Sequence, residues 1–266
     1  MEFNNDNNKY VFNKIVAQNK QYRIWTCTDK NGHELLMQVA SEQLDSSSIS
    51  RNAWIINKLA QASDKIHEEH PDASFNYHLG FPKLHDEIVL TNQGVRHANI
   101  LGFRNVKNIG SVVPLIKIWK DSLRIDLKTS AWIMGKLLKT ISFAHDNRIE
   151  VNDISGNNIL IEPDLHYVIV FNWSKSLICS EEVSASTRRK EVKLAAKCVI
   201  KALGGLSYHH DTIESPYVNY LKSLANTGNT DASKAHKLLY TIVDDLCENP
   251  FSSWEKGFHE FTTIKK

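Results

Sequence analysis

The chain has 266 residues and a mass of 30.3 kDa, and its 42% hydrophobic and 23% charged residues suffice for one large domain or two small lobes. That balance excludes a disordered or fibrous chain. Lys and Arg number 32 against 30 Asp and Glu, a net charge of +2, so long-range electrostatics alone select neither nucleic acid nor an anionic membrane as partner.

The opening MEFNNDNNK is polar where a secretory signal would be basic and then apolar, so residues 1–9 are expected to form a flexible arm. Strands are expected over Tyr10 to Ala17, Tyr22 to Thr28 and Glu34 to Ala40, the last two joined by the turn Asp29-Lys30-Asn31-Gly32. After Ser46-Ser47-Ser48, the residues Ile49, Ala53, Ile55, Ile56 and Leu59 recur at helical spacing. A polar loop, His67 to Asn76, follows. Two more strands are expected at Leu84 to Leu90 and Asn99 to Arg104, around a turn containing Gly94.

From Ser111 onward the pattern becomes helical. Ile133, Leu137 and Ile141 mark a long amphipathic helix from Lys128 to Asn147. Val192, Ala195, Ala196, Val199, Ile200 and Leu203 mark a second helix, which ends at Gly204-Gly205 where a left-handed cap is easy. A third runs from Asp231, its N-cap, to Cys247. Between the first two lies a small hairpin of Ile159 to Ile161 and Val168 to Phe171, turning at Glu162-Pro163-Asp164.

Cys27, Cys179, Cys198 and Cys247 are scattered and form no CxxC pair, which points to a reducing compartment and to no cysteine-rich zinc module. The longest apolar runs, such as Val112 to Ile116, fall far short of the roughly 20 residues that span a bilayer. A soluble, cytoplasmic chain with no membrane contact is expected.

Between Ile149 and Ser174 the sequence reads IEVNDISGNNILIEPDLHYVIVFNWS. Val151-Asn152-Asp153, then Asn158 and the strand Ile159-Leu160-Ile161, resemble the H-R-D-x-x-x-x-N catalytic loop of the protein-kinase-like superfamily, with His145 like the histidine that often precedes it. The resemblance implies a bilobal α+β fold: a strand-rich N-lobe with one helix over residues 10–105, and a mainly helical C-lobe over 106–266. It further implies Asp153 as the catalytic base and Asn158 as a magnesium ligand on bound ATP.

The charged parts of the pattern are missing. Asn172-Trp173-Ser174 stands where Asp-Phe-Gly belongs, so Asn172 offers the metal a neutral oxygen; in the alternative register, Val170-Phe171-Asn172, a valine replaces the ligand. Gln38, in Leu35-Leu36-Met37-Gln38-Val39-Ala40, takes the place of the phosphate-pairing lysine and is the candidate cofactor-binding residue of that strand. The helix that follows offers Arg51 and Asn52 but no glutamate. Lys14 to Thr28 contains no glycine to cradle phosphate, and no A-P-E triplet follows Ser174.

These losses imply a pseudokinase that binds ATP and magnesium weakly or not at all and acts by binding or regulating a protein partner. One alternative is an active atypical Ser/Thr or small-molecule kinase, with Asp153 as base, Asn158 and Asn172 on the metal, and Lys30 or Arg51 supplying charge. Another is an interaction domain that binds no nucleotide.

The remaining polar clusters read as surface. His67 and His70 in HEEH lack zinc-binding spacing, and His209-His210-Asp211 has no companion motif, so no zinc is expected. Arg188-Arg189-Lys190, alternating onward with Glu191 and Lys193, reads as a solvated helix start rather than a nucleic-acid contact. Trp173 and Trp254 read as packing residues.

Overall fold

The computed structural model describes residues 2–5, 8–72, 75–91, 94–205, 216–243 and 263–265. They divide into two compact units, one of residues 1–111 with 172–176, the other of residues 112–171 with 177–266.

The first unit is a six-stranded antiparallel sheet with one long helix. Its elements are β1 (Glu2–Asn5), β2 (Asn8–Gln18), β3 (Tyr22–Thr28), β4 (Glu34–Ala40), α1 (Ser46–Glu69), β5 (Lys83–Leu90) and β6 (Arg96–Gly102), in sheet order β1-β2-β3-β4-β6-β5. β3 and β4 lie where their alternation puts them. Between them the Asp29 carboxylate accepts the N–H groups of Asn31 (2.8 Å) and His33 (2.9 Å), and Gly32 takes φ +83°, the left-handed value that Asn-Gly turns use. Strand periodicity then splits β4 between two faces. Leu35, Met37 and Val39 join Tyr10, Cys27 and Ile100 in one core layer, while Leu36, Gln38 and Ala40 alternate onto the other face.

Several expectations are corrected here. Residues 2–5 pair with β2 as an edge strand instead of forming a loose arm. Ser46-Ser47-Ser48 forms the first turn of α1, and the helix runs on through His67 to Glu69, because Ser63 and Ile66 continue its inward face. β6 starts three residues earlier than expected: Arg96 and His97 hide a strand whose pairing with β5 already runs Leu90↔Arg96.

The second unit is mainly helical. It comprises β7 (Val113–Pro114), α2 (Ile116–Lys120), β8 (Leu123–Ile125), α3 (Leu127–Asp146), β9 (Ile149–Glu150), β10 (Ile159–Glu162), β11 (Tyr167–Val170), β12 (Leu177–Ile178), α4 (Ala185–Ala202), α5 (Pro216–Asn226), α6 (Ala232–Ile242) and β13 (Thr263–Lys265). Three helices begin on a side-chain oxygen taking a first-turn N–H: Asp126 from Thr129, Ser184 from Thr187 and Asp231 from Lys234. α4 ends as its glycines allow, with Gly204 and Gly205 both left-handed and their N–H groups bonded back to Lys201 and Ile200. Gly135 on α3 meets Leu239 of α6, where a Cβ would lie 3.4 Å from that side chain.

α2 and α5 were not expected from the sequence. The ends of the third predicted helix at Cys247, the His209-His210-Asp211 cluster and Trp254 lie outside the described residues. Among the described residues no helix is long and apolar enough to cross a membrane.

Candidate active site

In the strand-rich unit, the positions where the resemblance to kinases expects charge are amides, buried and linked by hydrogen bonds. Gln38 is 0% exposed; its Oε1 accepts from Asn52 Nδ2 at 2.7 Å, and its Nε2 donates to Asn172 Oδ1 at 3.2 Å. Asn52, also 0% exposed on α1, accepts the backbone N–H of Trp173 on its Oδ1 at 2.7 Å. Asn99 on β6 donates to the carbonyl of Ile49 at 2.9 Å and reaches Gln38 Oε1 at 3.5 Å. The network ties β4, α1, β6 and the segment 172–174 together without a formal charge.

A carbonyl oxygen has two lone pairs, and Asn172 Oδ1 accepts from both Gln38 Nε2 and the N–H of Ser174, each at 3.2 Å. Its Nδ2 donates to Tyr22 Oη at 3.4 Å. Of the two registers open to the triplet, it is Asn172 rather than Val170 that meets Gln38. Val170 is fully buried in the β10–β11 ladder, paired with Ile159. Trp173 is fully buried, as expected of a packing residue.

The β2–β3 turn shows why the missing glycines matter. Asn19 Oδ1 accepts the N–H groups of Gln21 (2.8 Å) and Tyr22 (2.9 Å), so the turn's own side chain takes donors of the kind that cradle phosphate in a glycine loop. Lys30 sits in the β3–β4 turn, and Arg51 is exposed on α1.

The helical unit keeps its loop. Asn158 Nδ2 donates to the Asp153 carbonyl at 2.8 Å, the Asn158 N–H bonds to Ser155 O, and Ser155 Oγ donates to Asp153 Oδ1 at 2.9 Å. Phe171 N–H bonds to Asn158 O, so the hairpin ladder continues one residue beyond β11. The loop packs closely on α2: Ile116 N–H bonds to Gly156 O, and a Cβ on Gly156 would lie 2.3 Å from Trp119.

What anchors this loop is Glu191 of α4, only 1% exposed. Its Oε2 pairs with His145 Nε2 at 2.7 Å, and its Oε1 accepts the N–H of Asn152 at 2.6 Å. Asn152 holds φ +59°, a left-handed value that asparagine tolerates better than most residues. The reading of Glu191 as part of a solvated helix start is therefore overturned, although Arg188 is half-buried and Arg189 and Lys190 are exposed as expected. The signal was present: Glu191 precedes Val192 and lies four residues before Ala195, on the helix's apolar face. Asn52 was equally legible, between the buried positions Ile49, Ala53 and Ile56, but only the structure shows it bonded to Gln38.

The sequence matches no protein-family model and no curated protein. Solved structures do match. Vaccinia related kinase 3 is similar to this chain with a TM-score of 0.60 at 12% identity, over 94% of this chain and 92% of that one. The BubR1 kinase domain is similar with a TM-score of 0.61 at 10% identity, over 96% and 86%. The fold is protein-kinase-like. It is an α+β, bilobal kinase architecture, with a strand-rich N-lobe and a helical C-lobe.

Proposed function

We propose that this kinase-like chain is a pseudokinase: it transfers phosphate poorly or not at all, and works by binding and regulating a protein partner. The observation that carries the reading is the neutral network of Gln38, Asn52 and Asn172. Phosphoryl transfer rests on positioning and on electrostatic stabilisation of developing charge, and these three buried side chains contribute none. Asn172 also spends its oxygen on two N–H donors, which argues against its service to magnesium. Hard cations favour anionic oxygen in any case.

A second reading has one observation in its favour, the hydrogen-bonded loop from Asp153 to Asn158. In it Asp153 serves as base of an atypical kinase and Asn158 as metal ligand. Thermal melting with ATP, with and without magnesium, separates the two, because any ligand that binds the folded state raises the melting temperature by mass action. The pseudokinase reading expects a flat response to millimolar ATP and no phosphate transfer to a generic acceptor. A magnesium-dependent rise of several degrees, with transfer lost in Asp153→Ala, would establish the enzyme.

A further inference from the structure

From Ser46 to Ser63, α1 carries Arg51 and Lys58 and no acidic residue, while acids gather beyond both ends at Glu42, Asp45, Asp64, Glu68 and Glu69. Helical spacing brings Arg51, Trp54, Lys58 and Lys65 within about a sixth of a turn of one another, opposite the buried arc of Ile49, Ala53 and Ile56. Trp54 is 57% exposed at the middle of this line. Lys58 Nζ stands 6.0 Å from its ring centroid, at the outer range of a cation–π contact.

Trp54 is not part of the buried arc of its helix, which Ile49, Ile55, Ile56 and Leu59 form at 0–1% exposure. Nor does it favour helix as alanine, lysine or glutamate would. Tryptophan and arginine are, by contrast, the residues that dominate binding energy at protein interfaces. Two of the nearby acids are already engaged: the Asp64 carboxylate meets His78 Nε2 at 2.7 Å, and Glu69 sits 3.7 Å from Lys65. Arg51 and Lys58 thus flank an apolar side chain in a stretch of helix that carries no acid of its own.

We infer that this face of α1 docks an acidic segment of a partner protein, with carboxylates against Arg51 and Lys58 and one apolar or aromatic side chain on Trp54. A nucleic acid would call for a longer cationic track than this, and the chain's net charge of +2 supplies none. The inference rests on the partner-binding part of the proposed function and is independent of whether ATP binds.

The test pans a displayed library of random dodecapeptides on the immobilised full chain, with counter-selection on the R51E/K58E variant. The best peptide is then synthesised and titrated by fluorescence anisotropy. Enriched peptides should carry two or more carboxylates around one aromatic or aliphatic residue. Their affinity should fall roughly tenfold or more in W54A and again in R51E/K58E, and weaken as salt rises. Both variants should melt within a few degrees of the parent, since Arg51 and Trp54 are exposed and Lys58 is only partly buried.

Neutral or basic consensus peptides, no enrichment, binding indifferent to both variants, or preferred binding of an oligonucleotide at about 0.15 M salt would each overturn the docking face. A failed selection with a flat ATP melt removes the face and leaves the silent site standing. A successful selection with a magnesium-dependent ATP shift does the reverse.

Discussion

The two units bury polar groups in different ways. In the strand-rich unit Gln38, Asn52 and Asn172 satisfy one another as neutral amides, whereas in the helical unit the carboxylate of Glu191 gathers His145 and the N–H of Asn152. The contrast separates two tasks that a kinase combines. The Gln38 network of the strand-rich unit holds no charged side chain, while in the helical unit a buried carboxylate shapes a loop. Backbone geometry is needed for the fold whether or not catalysis survives, because Asn152 must be held left-handed for the chain to turn into the loop.

Glu191→Ala should therefore have the largest effect. It strands two buried partners, His145 Nε2 and the Asn152 N–H, in a site only 1% exposed, at a cost of about 1–3 kcal/mol for each in urea unfolding. A loss below about 1 kcal/mol would show that the loop holds itself and that the contrast between the units is false. Asn52→Ala should cost less, about 1–3 kcal/mol, because it orphans one N–H and weakens one amide, with no charge left behind. The same substitution should leave ATP melting shifts unchanged; a shift that disappears with Asn52 would mean that the amide network binds nucleotide.

The smallest expected effect is a pH dependence at one histidine of the helical unit. His236 on α6 lies beside the Tyr240 ring, with centroids 4.6 Å apart, and is pushed down to about 4 by burial and by Lys139 and Lys136. Below the unfolded value near 6.5 the unfolded chain takes up a proton that the folded chain refuses. The stability due to the neutral ring is thus whole above about 6.5 and drains away toward 4. Melting of the parent relative to His236→Gln should fall by a few degrees over that window. Equal pH profiles for the two proteins would remove His236 as the source. The Gln38 network has no carboxylate or imidazole and should contribute nothing over the same range.

Much of this architecture was legible in the residues. β3 and β4 were read residue for residue, because an alternating strand pair around Asn31-Gly32 leaves little freedom of register. α3 and the end of α4 at its two glycines were likewise clear. Short elements such as α2, with five residues, carry too little periodicity to register. α1 was read short because its serine start resembles a turn. At the site, the absent charges were visible at Gln38 and Asn172, but their partners were not. A polar residue inside an apolar helical stripe shows only that something buried must bond to it, and chain separation hides what. Asn52 lies 14 residues from Gln38 and Glu191 lies 46 from His145.

The amide network also bears on which substitutions this chain can accept one at a time. A lysine at residue 38 alone, or an acid at residue 52 or 172 alone, would bury one charge among neutral amides, at a cost of several kcal/mol. That is a large share of the 5–15 kcal/mol that typically keeps a domain folded. A single charged substitution at any of the three should therefore destabilise the fold unless a second, opposite charge accompanies it. Three hydrogen-bonded side chains act in this sense as a lock: each keeps its neighbours neutral, and no one of them can take on charge alone without loss of stability.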